Sequence, residues 1–168
     1  SGAGKTTLAS RLPQRTWFHY SGDYRIGTRY LGEAILDNAK REAMKSPLLA
    51  ELLRSDSIYL CNNITVNNLK PLSGFLGMVG DPALGGLGID EFKRRQALHR
   101  DAEVRAMLDV HEFIDKSLEI YGYPHFINDA GGSLCELDEP GVLEQLAEDT
   151  LIVYLKPPDE MLEKIIER

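Results

Sequence analysis

The residues Ser1-Gly2-Ala3-Gly4-Lys5-Thr6-Thr7 have the types needed to wrap phosphate oxygens. In the pattern G-x-x-x-x-G-K-[ST], backbone N–H groups cradle the phosphates, the lysine reaches the β and γ oxygens, and the hydroxyl holds Mg²⁺. Gly4, Lys5 and Thr6 supply its last three positions. The first glycine, and the strand that feeds such a loop, are expected just before residue 1. The expected phosphate contacts are Ser1, Gly2, Ala3, Gly4, Lys5, Thr6 and Thr7. A helix beginning at Lys5 would aim its free N–H groups at the same ligand. The implied ligands are ATP and Mg²⁺.

Two further stretches carry groups suited to the same chemistry. "HFIN" (residues 125–128) is an apolar run ending at Asp129, the form taken by a strand-terminal carboxylate that binds Mg²⁺ directly or through water. Strand-terminal aspartate also forms turns, which is the competing structural reading. Gly131 and Gly132 follow and permit close backbone approach. "HYSGDYR" (residues 19–25) reads as a strand end followed by a Ser21-Gly22-Asp23 turn. Asp23 is suited to orienting or deprotonating an acceptor hydroxyl, and Arg25 or Arg29 to gripping an acceptor phosphate or carboxylate as a fork. The bland alternative is a turn-forming Asp23 and two solvated arginines.

These groups need elements to position them. "TWFHY" (16–20), "HFIN" (125–128) and "TLIVYLK" (150–156) read as strands, the last apolar throughout and so expected to be buried on both faces. Helical patterns cover Gly32 to Lys45, Pro47 to Arg54 behind a Ser46 cap, Asp90 to Tyr121 with a break near Asp109, Gly141 to Glu148, and Glu160 to Arg168. Residues 66–79 read as a poor helix interrupted near Pro71 and Gly74, and 80–88 as a glycine-rich loop, either one that closes over a ligand or a plain surface connection. Strands alternating with helices imply a parallel sheet with helices on both faces, with ligands outside the carboxyl ends of the strands. The expected organisation is a single domain over 1–168, truncated at both ends, with a helical and glycine-rich insertion around 57–121.

The 168 residues carry 19 Lys+Arg against 26 Asp+Glu, a net charge of −7, so no global basic surface recommends nucleic acid as a partner. No apolar run approaches the ~20 residues needed to span a bilayer. Cys61 and Cys135 are too few for a disulfide framework and read as reduced, partly buried thiols of a cytoplasmic protein. In "DEFKRRQALHRDAEV", Arg95 and His99 share a helix face and would suit an acidic-substrate pocket. Glu91 and Glu103 offer the alternative of an ion-paired, solvated face. His19 and His111 have no metal-ligand spacing, His125 reads as a structural residue in or just before a strand, and Glu136 and Asp138 read as surface acids.

In order along the chain, these motifs resemble the adenylate-kinase-like group of P-loop kinases, which includes nucleoside monophosphate, shikimate and gluconate kinases. "HYSGDYRIG" resembles the segment where adenylate kinases carry Thr-Gly-Asp and an acceptor-binding Arg. "FINDAGGS" resembles their apolar strand ending Asp-Gly, and "TLIVYLKPPDEMLEKIIER" their later strand, Pro turn and helix leading to the lid. The resemblance implies a three-layer P-loop α/β fold, here lacking the first strand and the C-terminal lid region. It implies MgATP binding and transfer of the γ-phosphate to an unknown small-molecule acceptor. Lys5, Asp23 and Arg25 are then the catalytic candidates, and Thr6 and Asp129 the Mg²⁺ ligands. Two departures stand out: Arg25 follows Asp23 by two residues where adenylate kinases have three, and Gly131-Gly132-Ser133-Leu134 replaces Gly-x-Pro-Arg. The competing class is a switch ATPase that uses the same loop with a macromolecular partner.

Overall fold

The structure is a computed structural model and describes residues 4–132 and 134–155. It is mixed α/β. β1 (Trp17–Ser21) and β2 (His125–Asp129) pair in parallel, in the register Trp17↔His125, Phe18↔Phe126, His19↔Ile127, Tyr20↔Asn128 and Ser21↔Asp129. Both are short aromatic or apolar runs closed by turn-forming residues, and parallel pairing suits segments joined by a long helical crossover.

The chain forms two compact units. The first comprises residues 1–22 and 104–168. In it, the period-two alternation of β1 and β2 puts Phe18, Tyr20 and Phe126 on one face. Phe18 stacks on Phe126 with centroids 5.6 Å apart, and both Phe18 and Tyr20 meet Phe113 of α7 (Val110–Glu119). α7 packs on both strands and on α8 (Pro140–Asp149). Val110 is 1% exposed and Ala106 fully buried, so this junction is the core of the unit. The break expected near Asp109 occurs there: α6 (Ile89–Leu108) stops and α7 restarts. The Tyr20 hydroxyl crosses to the Ala106 carbonyl at 2.6 Å, a backbone acceptor near the end of α6.

The second unit comprises residues 23–103. The expected Ser21-Gly22-Asp23 turn is not formed. The chain instead enters a short helix, α2 (Gly22–Arg25), that widens into a π-type turn over Ile26–Tyr30, closed by Leu31 N–H donating to the Ile26 carbonyl at 2.8 Å. α3 (Gly32–Ala43) follows, then α4 (Pro47–Arg54) with Ser46 at its N-cap position. α5 (Lys70–Leu76) replaces the interrupted helix expected over 66–79: Pro71 falls in its first turn, where a missing N–H costs nothing, and Gly74 is carried inside it. α3 packs on α5, and Ile26, Leu31, Ile35, Leu72 and Phe75 form the buried core.

A further expectation fails. Leu151–Val153 and Tyr154 are not a doubly buried strand: residues 151–155 adopt no regular structure, with Leu151 90% and Tyr154 76% exposed. An apolar run becomes a strand only beside a free ladder edge, and among the described residues nothing pairs with this one. Of the expected three-layer arrangement, the described residues show two parallel strands and their helices. The expected helix at 160–168 lies outside the described residues. Cys61, expected to be partly buried, is free and exposed. No helix among the described residues is long and apolar enough to cross a membrane.

Candidate functional site

Gly4 has left-handed backbone dihedrals (φ 88°, ψ 13°), and nothing lies within 4 Å of where a Cβ would stand. Glycine is therefore required by conformation and not by crowding. α1 (Lys5–Ser10) begins at the next residue, and its first internal bond runs from Leu8 N–H to the Gly4 carbonyl at 2.9 Å. The N–H groups of Lys5, Thr6 and Thr7 thus precede the first intrahelical hydrogen bond. Lys5 is half-buried, while Thr6 and Thr7 are exposed. Ser1, Gly2 and Ala3 lie outside the described residues.

α1 packs against β2, the strand that ends at Asp129. Asp129 is 7% exposed, a low value for a carboxylate. The parallel register puts His19 and Asp129 on the same sheet face, and His19 Nε2 lies 3.6 Å from Asp129 Oδ2. That separation exceeds a hydrogen bond, and the buried Nε2 has no hydrogen-bond partner among the described residues. A buried polar atom left open beside a carboxylate is a place for a further polar group.

These residues fit Mg²⁺ in donor type. Mg²⁺ takes hard oxygen ligands, commonly one or two carboxylates together with substrate phosphates and water. Asp129 supplies such a carboxylate within the same compact unit as Thr6, whose hydroxyl is exposed. No three His, Cys, Asp or Glu side chains cluster among the described residues.

Asp23 and Arg25 belong to the second unit. Asp23 is half-buried in α2, and the Arg25 guanidinium lies 5.8 Å over the Tyr30 ring. Arg29 is exposed in the π-type turn.

The basic run of α6 is structural. Arg95 is 8% exposed and donates to Glu91 at 2.7 Å, to the Asn38 side chain at 2.8 Å and to the Phe75 carbonyl, with its guanidinium over the Phe75 ring. Glu91 also takes two bonds from Arg94, and these two arginines hold its carboxyl down to about 2. His99 pairs with Glu103 at 3.3 Å. The acid partners are those expected from the spacing, but Arg95 is a buried clamp and not part of a solvated face.

His19 was missed by sequence reasoning because it stands 110 positions from Asp129, and only the strand register relates them. The usable signal was the period-two alternation of both strands, which puts each on a common face once parallel pairing is assumed. Comparisons with protein-family models, curated proteins and solved structures gave no match to this chain.

Proposed function

We propose that the chain binds MgATP through a phosphate loop ending in Gly4-Lys5-Thr6 and is an ATP-dependent kinase acting on a small-molecule acceptor. The observation that carries this reading is local. A left-handed Gly4 hands directly to a helix starting at Lys5, and that helix packs on a strand closed by the buried Asp129. The reading includes a three-layer P-loop fold, of which β1, β2 and their helices would be part.

In this reading Lys5 and the loop amides neutralise the β- and γ-phosphates. Thr6 and Asp129 would hold Mg²⁺, which when bound offsets charge on the transferring phosphoryl group. In this reading His19, whose Nε2 lies 3.6 Å from Asp129 Oδ2, would orient the Asp129 carboxylate through a bridging polar group. Asp23 is the residue assigned to orient the acceptor hydroxyl and take its proton, and Arg25 to hold an anionic acceptor group; both assignments rest on the sequence pattern.

The test is ADP production from MgATP, alone and with a panel of nucleotides, sugars and small acids, with Lys5→Ala as control. A Lys5-dependent rate that rises with one acceptor supports the kinase. Slow turnover indifferent to every acceptor, yet abolished by Lys5→Ala, would shift the assignment to a switch ATPase.

A further inference from the structure

The longest run in the chain without a charged side chain is residues 58–69, and it lies in the second unit. Its first part, residues 58–64, runs without helix, turn or bend, and exposure alternates along it: Ile58, Leu60, Asn62 and Ile64 are half-buried, while Tyr59, Cys61 and Asn63 are exposed, Tyr59 at 85%. Such period-two burial marks an extended strand with one face on a core. Yet this stretch pairs with no other strand among the described residues. The backbone N–H groups of residues 59–64 find no acceptor among them, and of the carbonyls from 58 to 64 only that of Asn63 is engaged, by Asn68 Nδ2 at 2.7 Å.

The segment is held from its half-buried face. Asn62 donates from Nδ2 to the Gly32 carbonyl at 2.6 Å, and Ile64 Cγ2 stands 3.3 Å from where a Cβ at Gly27 would be. Past Ile64 the chain reverses in a tight turn, in which Thr65 N–H donates to the Asn68 carbonyl at 3.2 Å and Asn68 N–H to the Thr65 carbonyl at 3.0 Å. A strand fixed on one face with its ladder groups unused is a template for a further strand. Being already held, it has little order left to lose on pairing.

We propose that residues 58–64 pair antiparallel with the same residues of a second copy of this chain, about a two-fold axis at Cys61. Charge selects this occupant. Copies that each carry −7 repel one another, and the uncharged run is where they can meet without opposing like charges, whereas a basic partner would find no complement there. The alternation is also self-complementary. Centring the pair on Cys61 engages the whole stretch: exposed Tyr59 opposes the partner's Asn63, half-buried Ile58 opposes the partner's Ile64, and each face meets its own kind. The inference stands on the second unit alone and is independent of nucleotide binding.

The test is sedimentation equilibrium of the intact protein from micromolar to millimolar concentration. A pairing this short predicts a weak dimer, seen as an average mass that rises from one chain toward two. Cys61→Lys and Cys61→Glu should each weaken association roughly tenfold or more, because like charges then face each other across the axis. An equimolar mixture of the two variants should dimerise again, and Cys61→Ser should associate as the wild type does. Cys61 is exposed, so these variants should fold, and circular dichroism checks that they do. A wild type that stays monomeric at millimolar concentration, association unchanged in Cys61→Lys, or a mixture that associates no better than either variant alone would overturn the assignment.

Discussion

Single residues set the tightest constraints in this protein. Gly22, directly after β1, is buried, and a Cβ there would stand 2.9 Å from Met107 Cε and 3.2 Å from the Gly131 backbone nitrogen. The methionine tip can swing aside, but the backbone cannot. Gly22→Ala is therefore expected to destabilise the first unit by about 1–3 kcal/mol, read as a lower urea midpoint with the same slope; an unchanged midpoint would contradict the close approach. Arg95 presents the opposite case, a long polar side chain in a core. Arg95→Leu would strip the Phe75 carbonyl and Asn38 of their donor and is expected to cost about 2–3 kcal/mol. A loss under about 0.5 kcal/mol would mean that the network is dispensable. The Glu91 partner was legible from i, i+4 spacing, whereas burial was not, because the Phe75 carbonyl comes from a separate helix.

Among the elements, those whose boundaries are written in local chemistry were the legible ones. β1 and β2 are runs of aromatic and apolar residues closed by turn formers, and α4 and α8 open on proline. The helix start at Lys5 follows from a glycine with φ of 88° immediately before it. What failed depended on partners elsewhere in the chain: residues 151–155 are apolar enough for a strand but have no ladder among the described residues, and where a Ser21-Gly22-Asp23 turn was expected, helix begins at Gly22, a buried position against Met107 and the Gly131 backbone. One inter-element tie has a titration signature. His111 of α7 and Asp149 of α8 meet at 2.5 Å, and this hydrogen bond raises the His111 pKa, with lesser help from the charges of Asp115 and Glu148. A raised folded value means that the tie stabilises fully below the ordinary histidine value near 6.5 and is lost as pH rises through the folded value. Melting temperatures from pH 5 to 9 should show wild type exceeding His111→Gln in the acid arm and converging with it in the alkaline arm. Parallel curves would contradict the tie.

Taken together, the chain has two compact units, and the proposed phosphate loop and Asp129 belong to the first. Its net charge of −7 opposes an approaching triphosphate, so nucleotide binding should depend strongly on the divalent ion that offsets that charge. Asp129→Asn is expected to weaken MgATP binding roughly tenfold or more while leaving the weak metal-free binding little changed. Equal losses with and without Mg²⁺ would mean that Asp129 acts on folding instead of on the metal. The measurement to make first is the dissociation constant for MgATP of the wild-type protein and of Lys5→Ala, with circular dichroism as the check on folding. The proposed function predicts saturable binding that weakens by about 2–3 kcal/mol in Lys5→Ala, or roughly 30–150-fold. No saturable binding by the folded wild type, or an affinity indifferent to the loss of Lys5, would contradict it.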